Sequence, residues 1–443
     1  MQKLQQILAF AMTIVLLSAC TDAVDGDLNE EKPEEVTDEL KLTQNIVENG
    51  SITFKATDYT GALTDKEKEI AKAANKFAFE FYKTVVAKQA NDNSILSPIS
   101  AQIALSMLCN GAAGNTAKEI RTALSFGDYT MDDINAYYRK QMNQLQRKEE
   151  SGCSVEFANA IWADNDIPFY SRFFQTNEKY YDATLANVDF LDIRAYKMMN
   201  AWCNEKTHGT IPGFIAEEVQ PLLQYVLANV TYFKGKWESR FKDAVTGTKK
   251  ENFTCLNGQV SKVDMMHTTS YYNYESTDDY SLLEMPYQPG SHSMIVCLPA
   301  EGKSLSACIE QIKEKATEQI GKGKSTYIDL SFPKFKTEVS MDLTEPLYVM
   351  GIKDVFNYET SDLSAISPVR NFVMGIIQKA YISTDEKGTE AAAITAILGG
   401  SDAGNGNYTP PTPIVVKVNR PFFYLIRDNT TGTILFMGKV VKP

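Results

Sequence analysis

Helical and strand periodicities are segregated along this chain, and that segregation is the feature that most constrains its fold. From Thr64, TDKEKEIAKAANKFAFEFYKTVVAK places Ile70, Ala74, Phe77, Phe81 and Val85 on one face at spacings of three and four. That is the pattern of an amphipathic helix with a cap and acids at its start. PISAQIALSMLCNGAAG follows, with Pro98 in the first turn of a second helix and glycine stops behind it. Strand signals gather later. TYIDLSF alternates Tyr327, Asp329 and Ser331 with Ile328, Leu330 and Phe332, while IVVKV and FFYLIRDNTTGTILFMGKVV read as a strand followed by a hairpin. Early helices and late strands predict an α+β body rather than alternating βαβ units. The chain has no internal repeat and no glycine-rich phosphate loop.

Between two of the late strand runs lies DEKGTEAAAITAILGGSDAGNGNYTPPTP, from Asp385 to Pro413. Local propensity favours a helix over Thr389 to Leu398, with Thr389 as its N-cap and three alanines close behind. The same residues also suit a strand. No charge follows Glu390 as far as Leu398, and the 22 residues from Gly388 to Thr409 contain no proline.

Lys and Arg total 44 against 56 for Asp and Glu, which argues against a basic face for nucleic acid. MQKLQQILAFAMTIVLLSAC reads as an export signal, with Lys3 ahead of an apolar run from Ile7 to Leu17 that falls short of the roughly 20 residues a membrane span needs. Leu17-Ser18-Ala19-Cys20 resembles a bacterial lipobox, which implies cleavage before Cys20 and a lipid anchor on that cysteine. Residues 1–20 carry only Lys3 among the charges, so cleavage before Cys20 takes the net charge from −12 to −13. Residues 21–63 are acidic and weakly periodic, the composition of a solvated tether. Acids directly after Cys20 also resemble a surface-export signal of Bacteroidetes-type lipoproteins. The expected location is therefore the bacterial cell envelope, by an N-terminal lipid anchor in the outer membrane.

Six further cysteines, Cys109, Cys153, Cys203, Cys255, Cys297 and Cys308, are widely scattered and form no CxxC pair. They predict no metal site and no obligatory disulfide, with Cys297 a buried thiol inside the apolar run SMIVCLPA. His208, His267 and His292 accompany no G-x-S-x-G elbow, cysteine-protease signature or HExxH. Conventional catalysis and a cofactor are not expected.

Longer motifs identify the chain as similar to the serpins. NSILSPISAQIALSMLCNGAAGNTAKEIRTAL (93–124), MNAWCNEKTHGTIPGFI (199–215), LANVTYFKGKWESRF (227–241), DLSFPKF (329–335), DEKGTEAAA (385–393) and VNRPFFYLIRDNTTGTILFMGKV (418–440) occur in serpin order. The resemblance spans about residues 66–443. It implies one serpin domain over 64–443, with three β-sheets, eight or nine helices and an exposed reactive-centre loop at about 386–413. It also implies a monomer that inhibits proteases as a suicide substrate. The protease acylates itself on the cut loop, which then inserts as a strand into the central sheet, an order–disorder switch of a known kind.

An inserted strand of about 14 residues gains roughly 7–20 kcal/mol at about 0.5–1.5 kcal/mol per backbone hydrogen bond. A domain's whole stability is commonly about 5–15 kcal/mol, so insertion can drive such a trap. The incoming segment needs a free hinge, small inward residues and no proline. Glu386 and Gly388 would form the hinge. Thr389, Ala391, Ala393 and Thr395 share one parity and would face inward, while Glu390, Ala392 and Ile394 would face out.

The family's usual forward count places the cut between Asp402 and Ala403. A count backward from NRPFF falls later, which keeps Tyr408 as an alternative, and Leu398 before Gly399 is another. No Lys or Arg lies between Lys387 and Lys417, so elastase-, subtilisin- or papain-like serine or cysteine proteases are expected rather than trypsin-like ones. The resemblance further implies that Ser97, Ser100, Asn229 and Gln378 form a polar cluster governing sheet opening, with Trp237 near the point where the loop enters. Gln378 stands where many serpins place a histidine and cannot acquire its charge. The competing expectation is a non-inhibitory serpin that binds or carries a ligand at the cell surface.

Overall fold

The computed structural model describes residues 42–50, 59–87, 89, 91–146, 152–242, 244–245, 247–313, 315, 320, 322–389 and 411–443. Its elements begin with β1 (Ile46–Val47), α1 (Asp65–Val86), β2 (Ser94–Leu96), α2 (Pro98–Cys109), α3 (Gly114–Ala123) and α4 (Met131–Leu145). They continue with β3 (Cys153–Asp164), β4 (Phe169–Tyr170), α5 (Ser171–Tyr181), β5 (Thr184–Val188), α6 (Ile193–Lys206) and β6 (Tyr225–Lys236). Next come β7 (Lys249–Thr254), β8 (Val260–Ser276), β9 (Tyr280–Tyr287), β10 (His292–Pro299), α7 (Leu305–Lys313), β11 (Lys324–Pro333) and β12 (Phe335–Asp342). The last are α8 (Thr344–Val349), β13 (Ile377–Thr384), β14 (Gly388–Thr389), β15 (Ile414–Lys417), β16 (Phe422–Asp428) and β17 (Ile434–Val440). Eight α-helices and three sheets among the described residues match the expected α+β architecture.

Helix α1 begins in a capping box: Thr64 Oγ1 accepts from the Glu67 N–H, and the Glu67 carboxylate accepts from the Thr64 N–H. Its predicted apolar face, Ile70, Ala74, Phe77, Phe81 and Val85, is buried throughout. Helix α2 is buried at every position and so carries no amphipathic stripe. Ser97 caps it and Pro98 opens it, where a missing N–H costs nothing.

A six-stranded sheet runs β12-β13-β14-β6-β3-β5, and a nine-stranded one runs β15-β11-β8-β9-β10-β16-β17-β2 with β7 on β8. The main core lies between them and α2, with Phe233, Trp237, Tyr287, Phe335 and Tyr424 among its large side chains. A separate apolar cluster of Cys203, Ile211 and Val230, with Tyr381 against it, seats α6 and the segment after it over β6 and β13.

Described residues ahead of the expected boundary at 64 already pair with the folded body. Part of the presumed tether is a strap. Thr43 exchanges two backbone hydrogen bonds with Asn187 of β5, and β1 pairs in parallel with β4. Asn49 Oδ1 accepts from the Arg172 N–H at 3.1 Å, capping α5, whose own N-cap residue Tyr170 makes no side-chain cap. An acidic composition upstream conceals this because the contacts come from Thr43, Asn45 and Asn49, which are polar and carry no periodicity.

Candidate functional site

The site forms where the chain leaves β13. Residues 385–387 turn back, and Gly388–Thr389 enters the six-stranded sheet as β14, antiparallel to both neighbours. Thr389 pairs with Thr384 on one side and Gly235 on the other, and Gly388 pairs with Lys236. Thr389 thus takes the strand option of its two local readings, because two ready-made edges satisfy its backbone. The packing there is close. A Cβ on Gly388 would lie 1.9 Å from the Gly235 carbonyl oxygen and 2.8 Å from Lys236 Cα, so glycine supplies space as well as freedom.

Several side chains hold the turn. The Trp237 indole N–H donates to Asp385 O at 2.9 Å, and the Trp237 backbone N–H donates to Lys387 O at 2.9 Å. Trp237 stacks on Tyr287 at 4.4 Å between ring centroids, and the Tyr287 hydroxyl lies 2.6 Å from Thr389 Oγ1. Glu386 is folded back rather than exposed. Its carboxylate accepts from Lys334 Nζ at 3.0 and 3.1 Å and from Thr248 Oγ1 at 2.5 Å. Burial works against that charge, but the Thr248 and Lys334 hydrogen bonds and the lysine charge outweigh it and hold the carboxyl below its usual range. Burial pushes the Tyr287 phenol well up, with the Thr389 hydrogen bond opposing, so it stays protonated and can donate.

The polar cluster named from the sequence is assembled further along the same sheet. Gln378 Oε1 accepts from the Ser97 N–H at 3.0 Å while its Nε2 donates to Ser97 O at 2.9 Å. The Ser100 N–H donates to Ser97 Oγ, and Ser100 Oγ donates to Asn229 O, each at 3.4 Å. The Asn229 amide in turn donates to Asn159 Oδ1. Gln378 therefore joins β13 to the start of α2 while Ser100 joins α2 to β6, and any parting of β6 from β13 must work against both.

Trp237, Glu386, Gly388 and Thr389 come together at the hinge, and Ser97, Ser100, Asn229 and Gln378 at the cluster. Glu390, Ala391, Ala392, Ala393, Thr395, Leu398, Gly399, Asp402, Ala403, Tyr408 and Cys20 lie outside the described residues. Sequence reasoning missed Lys334, Thr248 and Tyr287 as hinge partners. Lys334 sits inside the motif DLSFPKF, and a lone lysine amid apolar neighbours was the available signal; Thr248 and Tyr287 carry none.

Comparison with known proteins agrees with this architecture. Residues 72–443 match the family model described as serpin (serine protease inhibitor). An uncharacterized serpin-like protein of Thermococcus kodakarensis is 33% identical over 403 residues, covering 88% of this chain and 90% of that protein. Leukocyte elastase inhibitor of Equus caballus is 31% identical over 391 residues, covering 85% and 100%. Among solved structures, the thermophilic serpin tengpin in its native state superimposes with a TM-score of 0.76 at 29% identity, over 90% of this chain and 97% of that one. The chain belongs to the serpin family, whose members are mostly protease inhibitors rather than enzymes.

Proposed function

We propose that this protein is a suicide-substrate inhibitor of serine or cysteine endopeptidases, trapping them as acyl complexes when its cleaved loop becomes a full strand between β13 and β6. The observation that carries this reading is β14: Gly388 and Thr389, near the start of the loop, already lie between β13 and β6, antiparallel to both neighbours. Thr389 is buried there, and Ala391, Ala393 and Thr395 share its parity in the sequence. Asp402–Ala403 is the proposed scissile bond, with Leu398–Gly399 and Tyr408 as alternatives. The absence of basic residues between Lys387 and Lys417 supports elastase-, subtilisin- or papain-like targets. Incubation with a panel of these proteases should give SDS-resistant complexes, and mass spectrometry of the released fragment locates the bond. Cleavage without a complex and without a gain in melting temperature contradicts inhibition and favours a binding or carrier role.

Lipid attachment at Cys20 belongs to the same proposal and places the inhibitor at a bacterial outer membrane. Replacing Cys20 with alanine should release the protein from the membrane fraction; equal retention refutes the anchor.

A further inference from the structure

His292 has no part in the inhibitory reading, yet it lies directly behind the hinge. Thr389, Gly235 and Cys153 form one row across β14, β6 and β3. The Cys153 thiol lies 3.5 Å from His292 Nδ1, and Ser291 Oγ lies 2.9 Å from the same nitrogen. The Phe233 ring meets the His292 imidazole edge-on at 5.9 Å and Tyr287 edge-on at 5.0 Å. Tyr287 in turn holds Thr389, so an unbroken aromatic path runs from the imidazole to the docked hinge.

The far side of the imidazole is unfinished. His292 is 6% exposed, and its Nε2 is buried with no hydrogen-bond partner. Asp428 Oδ1 stands 4.0 Å away, too far for a hydrogen bond, while Asp428 Oδ2 is held by the Thr431 N–H at 2.5 Å and hydroxyl at 2.7 Å. The titratable groups facing His292 are Cys153 on β3, Tyr287 on β9 and Asp428 on β16. Arg427, beside Asp428, is engaged with Glu284 at 3.3 Å.

We propose that His292 is an acid-responsive latch on the hinge, whose protonation draws the ring toward Asp428, loosens the Phe233–Tyr287 contact and lets Thr389 undock. Burial holds the imidazole below the usual histidine range, and the Asp428 charge offsets this only in part. A histidine in an opened or unfolded segment binds its proton near pH 6.5, whereas the packed one does so only at lower pH. The docked arrangement is therefore fully stabilised above about pH 6.5 and loses that stabilisation as pH falls toward the lower folded value. Acid favours the open hinge because only there does His292 take its proton freely.

The inference rests on the reading of Gly388–Thr389 as the docked start of the loop, and its test needs no protease. Hydrogen exchange of the peptide containing Gly388–Thr389 in the full chain, corrected for intrinsic rates, should report opening several-fold more frequent near pH 5.5 than near pH 7.5. The His292→Gln variant should lose that difference. Should this variant fail to fold, imidazole NMR of the wild type, with only three histidines to separate, supplies the second reading. Hinge opening should then follow the His292 titration, with a midpoint below 6.5. Persistence of the acid response in His292→Gln, or a His292 midpoint at or above 6.5, overturns the proposal. A failure to inhibit proteases leaves this exchange result standing, so the two readings fail separately.

Discussion

Glu386 concentrates the hinge's electrostatics in one residue. Its carboxyl is held below the usual range with burial opposing, so its stabilising contribution is complete above the ordinary glutamate value and is lost as pH falls through the depressed one. Glu386→Gln keeps the shape and removes the charge. It should lower stability by about 1–2 kcal/mol near neutral pH, the scale of charge-assisted hydrogen bonds, with little difference from wild type in strong acid. Chemical denaturation at two pH values checks this. Gln378 makes the opposite kind of contact, clamping both backbone groups of Ser97 without a charge. Gln378→His should make sheet opening pH-dependent, faster as the imidazole protonates and loses its acceptor. Opening rates and a pH profile identical to wild type would disprove that role.

At the scale of elements, some structure was plain from residue order and some was not. The faces of α1 and the hairpin β16–β17 were legible because 3.6- and 2-residue periods are local properties. The strap was hidden. Asn49 acts on a helix 123 residues away, and no local pattern marks a cap supplied from that distance. Asn49→Ala should destabilise α5 by about 1 kcal/mol, seen as faster amide exchange in its first turn. Tyr287 was hidden likewise, because its partnership with Thr389 depends on how two sheets pack. At Thr389 the element itself can be tested. Thr389→Arg would place a charge between β6 and the core, where burial is expensive. On the proposed function, the variant should behave as a substrate, cut by the protease but forming no stable complex; undiminished complex formation in a gel assay contradicts the inward assignment.

For the whole molecule, the serpin assignment rested on long motifs in their proper order, and the fold agrees with it. The polar cluster and Trp237 were named through that resemblance; Ser97, Ser100, Asn229 and Gln378 are neighbours joined by hydrogen bonds, and Trp237 lies at the hinge. Lys334, Thr248 and His292 became visible only with three-dimensional neighbours, since their positions depend on register across separate strands. The two-residue β14 marks the place between β13 and β6 where, on the proposed mechanism, the inserting strand would start. The backbone hydrogen bonds of a completed strand would gain on the order of 7–20 kcal/mol before packing and entropy are counted. On the proposed mechanism the resting state is held by a barrier that loop cleavage lowers. The most direct test is thermal unfolding before and after the loop is cut by a protease. Insertion predicts a large rise in melting temperature on cleavage, together with an SDS-resistant complex for the protease it traps. An unchanged or lower melting temperature, with no complex from any serine or cysteine protease, would contradict the account.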